Sequence, residues 1–132
     1  MHSEVLHVRP ERTGWRDLSL SARHRGWGFD CPAVDVDFML EYDNGKAAAL
    51  VEYKHERASE VDTGHPTFTA LADLGDRAGL PVFVVRYAAD FSWFCVKPLN
   101  RQAERWHPQE TRMTEGAWVE TLYAIRAETR FD

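Results

Sequence analysis

The stretch Val34–Lys54, VDVDFMLEYDNGKAAALVEYK, decides how this chain is read. Two apolar-rich runs flank Asn44-Gly45. That dipeptide between alternating runs is the strongest short-range signal for a two-residue hairpin. A type I′ turn needs φ > 0 at both central residues, which Asn tolerates and Gly adopts without steric cost. The spacing therefore predicts an antiparallel β-hairpin over residues 34–54.

A two-residue loop fixes the register. With Asp43 opposite Lys46, Glu41 meets Ala48, Met39 meets Leu50, Asp37 meets Glu52 and Asp35 meets Lys54. Side chains alternate along a strand, so these pairs share one face. The other face collects Val36, Phe38, Leu40 and Tyr42 against Ala47, Ala49, Val51 and Tyr53. One face is apolar or aromatic, and the other carries acids and a lysine towards its open end. Asp37 opposite Glu52 is the odd feature, because like charges directly across a ladder destabilise it. Two such carboxylates raise each other's pKa unless a cation neutralises them. A hard divalent cation with oxygen ligands is the natural remedy. Lys54 stands two residues along on the same face.

The rest of the chain places this hairpin in an α/β frame. Thr67 to Ala78 predicts a helix with Phe68, Leu71, Leu74 or Ala72, and Ala78 on its apolar side, Pro66 near its first turn and Gly79 just past its end. Pro81 forbids continuation, and residues 82–88 (VFVVRYA) form a continuous run that suits a strand buried on both faces. Strand, helix and strand in that order predict a right-handed βαβ unit with parallel strands. Ser92–Lys97 returns antiparallel. Residues 98–112 read as a polar loop with a helical turn at Arg101–Trp106. Thr114 caps a last helix to about Arg126. Upstream, a helix is expected over Trp15–His24, with short strands at residues 2–8 and 27–29. The fold class is thus α/β (α+β): a mixed central sheet with flanking helices, in one domain over residues 1–132.

Composition limits the alternatives. A hydrophobic content of 44% with 28% charged residues is that of an ordinary globular domain. No apolar run approaches the ~18 residues of a membrane span. The first residues, MHSEVLHVRPER, carry no apolar signal core, which suits a cytoplasmic protein. Cys31 and Cys95 make no disulfide framework and read as reduced and buried. The net charge of −5 disfavours non-specific binding to nucleic acid, yet cations cluster locally. Arg9, Arg12, Arg16, Arg23 and Arg25 lie near the start, and Lys97, Arg101, Arg105 and Arg112 lie between residues 97 and 112.

Asp37, followed fifteen residues later by Glu52-Tyr53-Lys54 on a neighbouring strand, resembles the motif of the PD-(D/E)xK nuclease superfamily. That motif is an Asp on the second strand and (Asp/Glu)-x-Lys on the third, followed by a helix and a parallel strand. The resemblance covers roughly residues 13–98 and is nearest to small members such as Holliday-junction resolvases. Pro32 stands three residues before Asp35 rather than beside the acid. The resemblance implies a restriction-endonuclease-like core and metal-dependent hydrolysis of phosphodiester bonds in DNA, branched and single-stranded forms included. Asp37 and Glu52 would hold Mg²⁺ or Mn²⁺, with the backbone carbonyl of Tyr53 as a further ligand. Asp35 competes with Asp37 for that role. Lys54 would orient or deprotonate the attacking water, or stabilise developing charge. A resolvase needs two sites, hence a homodimer. Arg16, Arg23 and Arg25 are candidate phosphate contacts, and Trp106, between Arg105 and His107, is a candidate for base stacking.

Each feature has a plainer reading. The Asp/Lys face of the hairpin would be a solvated surface with weak ion pairs. Trp106 would be a loop anchor, and the arginines a solvated helix face. A catalytically inactive module that binds nucleic acid or a protein through the same fold is the competing function.

Overall fold

Asn44 and Gly45 take φ of 52° and 82°, so the turn at the hairpin tip has both residues in the left-handed region, as the dipeptide requires. The computed structural model describes residues 19–27, 39–58 and 63–131. By its contacts the chain divides into two units, residues 1–35 and 36–132. The described part of the first is α1 (Ser19–Arg25) and the turn behind it, where the Gly26 N–H donates to the carbonyls of Ala22 and Arg23. Trp27 lies in that turn, its ring 4.8 Å from that of His24. The strand expected at residues 2–8 lies outside the described residues, as do Phe29 and Cys31.

The second unit is α+β, built on a five-stranded mixed sheet in the order β1-β2-β3-β4-β5. The strands are β1 (Met39–Asp43), β2 (Lys46–His55), β3 (Val82–Tyr87), β4 (Phe94–Pro98) and β5 (Thr111–Met113). The β2–β3 pair is parallel and the other three pairs are antiparallel. α2 (Pro66–Ala78) connects β2 to β3, as the strand–helix–strand pattern predicts. α3 (Arg101–Glu104) follows β4, and α4 (Glu115–Thr129) closes the chain.

The local signals behind these elements are legible. Pro66 occupies the first turn of α2, and the His65 ring accepts a hydrogen bond from the Thr67 N–H. Gly79, at φ 73°, ends the helix, and the Leu80 N–H donates back to the Gly75 carbonyl at 2.8 Å. Thr114 caps α4 by accepting from the Ala117 N–H. Asn100 caps α3 and does more. Its side-chain oxygen accepts from the N–H groups of Ala103 and Val82, and its amide donates to the Leu80 carbonyl. One buried amide thus ties the end of the α2–β3 connection to the start of α3.

Two hydrophobic layers hold the sheet. Under α4 lie Ala48, Ala49 and Val51 of β2, Phe83 and Val85 of β3, Val96 of β4, and Trp118 and Ile125 of the helix. Under α2 lie Leu50, Val82 and Leu71, a smaller cluster. Gly75 lets α2 come close on that side: a Cβ there would sit 2.1 Å from Val82 Cγ2.

The hairpin departs from its predicted register. Asp43 pairs with Lys46 and Tyr42 with Ala47, but Glu41 then pairs with Ala49, Leu40 with Leu50 and Met39 with Val51. Ala48 is an extra residue, a β-bulge. Ala48 and Ala49 consequently both join the core under α4. The predicted pairs Glu41–Ala48 and Met39–Leu50 are therefore corrected, Leu40 lies opposite Leu50 rather than on the Val51 face, and the count that set Asp37 opposite Glu52 and Asp35 opposite Lys54 no longer holds along the described hairpin. The cause lies at the tip. Asp43 is buried against Arg126 of α4 (3.6 Å) and Arg130 just past its end, and Lys46 donates to the Thr129 carbonyl at 3.1 Å. The tip pair thus faces α4, as do Ala49 and Val51, and only an extra residue reconciles the two.

Smaller corrections follow. The region read as a loop from 98 to 112 contains the end of β4 and the first two residues of β5. β3 ends at Tyr87 rather than residue 88. Cys95 is half-buried, not buried.

Candidate functional site

Alternation along β2 sends Ala49, Val51 and Tyr53 towards α4, and Leu50, Glu52 and Lys54 to the opposite face. Glu52 is 8% exposed. Lys54 Nζ lies 3.4 Å from Glu52 Oε1 and 5.9 Å from the centre of the Phe68 ring on α2. A carboxylate this deeply placed costs free energy unless a charge or hydrogen-bond donor accompanies it, and Lys54 supplies one such partner. The phenol of Tyr53, on the other face, accepts a hydrogen bond from Trp118 Nε1 at 2.9 Å. That bond fixes the strand's rotation at the residue between Glu52 and Lys54.

The sheet register adds Arg86, which the sequence reading did not single out, and brings Lys97 and Arg112 of the downstream cation cluster to the same face. On the Glu52 face, Lys54 lies beside Arg86, Arg86 beside Cys95, and Cys95 beside Arg112, one row across four strands. Glu52 lies beside Val84, and Val84 beside Lys97. The face therefore carries one buried carboxylate with Lys54 on its own strand and Arg86, Lys97 and Arg112 on the three strands that follow across the sheet. Arg86 donates to the backbone carbonyls of Glu56 and Ala58, at 2.6 and 2.9 Å, and so holds the chain leaving β2. Glu56 in turn accepts from the Ala89 N–H at 2.6 Å, which anchors the β3–β4 turn. Cys95 donates to Glu110 Oε2 at 3.0 Å, and its thiol pKa is pushed up to about 11 by burial first and by Glu110 second. It is a poor nucleophile at neutral pH. A signal for Arg86 and Lys97 was present: each is a cation inside an otherwise apolar strand, VFVVRY and FCVKP.

Of the predicted site residues, Glu52, Tyr53 and Lys54 lie together on β2. Asp37, Asp35 and Arg16 lie outside the described residues. Arg23 is exposed on α1, and Arg25 ends that helix, both in the first unit. Trp106 packs against the core under α4, with the Arg105 guanidinium 5.6 Å from its ring. It lies on the face away from Glu52 and anchors the segment after α3. His55 turns its ring edge-on to Tyr87, on the aromatic side, as alternation predicts.

A hard cation such as Mg²⁺ takes oxygen ligands, often one or two carboxylates plus water and substrate phosphate. The buried Glu52 carboxylate is a ligand of that kind. Among the described residues no group of three His, Cys, Asp or Glu side chains is close enough to hold a metal by itself. A second carboxylate would have to come from Asp37 or Asp35. No described helix is long and apolar enough to cross a membrane.

No protein-family model matches the chain, and comparison with curated proteins and with solved structures returns no match.

Proposed function

We propose that the chain is a metal-dependent nuclease that hydrolyses phosphodiester bonds in DNA. The observation that carries the reading is Glu52, a buried carboxylate beside Lys54 on the first strand of a parallel βαβ unit, with Arg86, Lys97 and Arg112 on the same face. In the resembled superfamily this Glu-x-Lys strand forms part of a restriction-endonuclease-like core. Glu52, with Asp37 or Asp35 and the Tyr53 carbonyl, would hold Mg²⁺ or Mn²⁺. Such an ion, when bound, polarises the phosphate and acidifies a water. Lys54 places a compact positive charge next to the carboxylate, where it orients the water or offsets charge developing on the phosphate. Lys97 and Arg112 offer charge to the DNA backbone further along the face.

The test is cleavage of single-stranded, duplex and branched DNA with Mg²⁺ or Mn²⁺. Glu52→Gln and Lys54→Ala should each lower the rate by about 10²–10³-fold while the protein stays folded. The melting temperature should rise with metal in the parent chain and not in Glu52→Gln. Cleavage that persists in both variants comes from a contaminant and overturns the reading. DNA held without cleavage, and without any metal effect on melting, makes the chain a binding module instead.

A further inference from the structure

The far end of the Glu52 face, across β3, β4 and β5, carries two arginines that the fold leaves without counter-ions. Arg86 stands directly beside Cys95, and Cys95 directly beside Arg112. On its other flank Arg86 stands beside Lys54. Lys54, Arg86 and Arg112 thus share one row with Cys95, and like charges set across a ladder repel. Elsewhere arginines are paired: Arg77 with Asp73, Arg105 with Glu128, and Arg126 and Arg130 with Asp43. Among the described residues, neither Arg86 nor Arg112 has a carboxylate at ion-pair distance.

Both guanidinium groups are nevertheless held in place. Arg86 is half-buried, and its Nη2 donates to the carbonyls of Glu56 and Ala58. Its remaining N–H groups have no partner among the described residues. The Arg112 guanidinium lies 4.6 Å from the centre of the Trp93 ring. A guanidinium supported on its face by a ring still offers its N–H groups, which lie in its own plane. The ordering entropy that a ligand would otherwise have to offset is therefore already reduced at both side chains.

Both charges also reach the same point. Burial and Glu110 push the Cys95 thiol pKa up to about 11, while Arg112 and Arg86 act in the opposite direction. The sulfur thus feels a guanidinium from either flank. Cys95 is small and partly exposed, so the space above it lies open between two longer side chains. Glu110 is the acid nearby, and it accepts from the thiol at 3.0 Å.

Two planar forks on opposite sides suit a tetrahedral oxyanion. A phosphomonoester carries a charge of about −1.5 to −2 and three acceptor oxygens, more of both than a phosphate inside a chain. We infer that Arg86 and Arg112 bind a phosphomonoester group over Cys95, supplied by a free nucleotide or by the phosphorylated end of a strand. Neither Glu52 nor a metal takes part, so this site stands or falls apart from the nuclease reading. Where both hold, Arg112 meets the end of a strand and not its middle.

Calorimetry on the full chain in EDTA, at constant ionic strength, compares thymidylate, its methyl ester and thymidine. Thymidylate should bind saturably, the methyl ester roughly tenfold more weakly, and thymidine not at all. Arg112→Gln changes an exposed residue, and circular dichroism will verify that it folds. It should weaken thymidylate binding by roughly tenfold, and Arg112→Lys by less, because the ammonium keeps the charge and loses the fork. Glu110→Gln should tighten binding, since it removes a repelling charge. Arg77→Gln removes the same charge as Arg112→Gln from α2 and should change nothing. A short oligothymidylate, with and without a terminal phosphate, separates the sources. Tighter binding than thymidylate, lost without that phosphate, assigns the site to a strand end, and weaker binding assigns it to a free nucleotide. The proposal is overturned by an absence of saturable thymidylate binding, by equal binding of the methyl ester, or by unchanged affinity in Arg112→Gln.

Discussion

The two faces of the sheet use the same strands for opposite ends. Under α4, β2 and β3 contribute Val51, Phe83 and Val85, and Trp118 meets Phe83 edge-on at 5.4 Å between ring centres. Under α2 the apolar contact is a smaller cluster of Leu50, Val82 and Leu71 with Leu80 and Leu99 against it, and beyond it the same strands present Glu52, Lys54 and Arg86. A helix that covers most of a face leaves mainly packing. A helix that covers half of it leaves strand residues at its margin, partly desolvated and precisely spaced by the pleat. Chemistry fits that margin, because charges there are strengthened by low dielectric yet still reach solvent. The α4 face should therefore carry stability and the α2 face activity.

That division can be broken by substitution. Phe83→Ala removes a fully buried ring from the α4 face and should lower the unfolding free energy by ~3–5 kcal/mol in denaturant melts. Lys54→Ala, on the other face, should lower it by less, about 1–3 kcal/mol, because it takes one partner from the buried Glu52 carboxylate. Similar losses in both would mean that the faces do not divide the work. Gly75→Ala is the next largest effect. Its methyl would collide with Val82 and approach Asn100 Nδ2 at 2.9 Å and the Leu80 carbonyl at 3.0 Å. A cost of ~1–3 kcal/mol is expected, with protection of the α2 amides from hydrogen exchange falling more than that of α4.

The smallest effect sharpens the α4 side. His107 accepts from or donates to Thr121 Oγ1 at 3.0 Å, its ring stands 6.4 Å from that of Phe83, and burial lowers its pKa from the ordinary 6.5. The unfolded chain therefore binds this proton more readily than the folded one. The stability tied to the neutral ring is complete above about pH 6.5 and is lost as pH falls through that value towards the lower folded pKa. His107→Gln should flatten the fall in melting temperature between neutral and mildly acidic buffer. An unchanged slope would mean that other groups set the acid response.

Much of this was legible in residues alone. Asn44-Gly45 fixed the turn, Gly79-Leu80-Pro81 fixed the end of α2, and the run Val82–Val85 fixed a strand buried on both faces. β5 was not legible, because three residues, Thr111–Met113, are too few to show a period. The bulge was not legible either. Ala47, Ala48 and Ala49 are identical, so no hydrophobic pattern along them reveals a change of face.

The sequence by itself determined the order of elements and the Glu52-x-Lys54 spacing, which alternation alone puts on one face of a strand. Only the tertiary structure decided what that face meets. Asp43 reaching Arg126 of α4 and Arg130 just past its end set the bulge and the hairpin register. Pairing of β3, β4 and β5 brought Arg86, Lys97 and Arg112 to the Glu52 face. The physical reason is range. Turn chemistry and side-chain alternation act over a few residues, whereas the partners of a buried charge are chosen by strands and helices that meet only when the sheet is assembled.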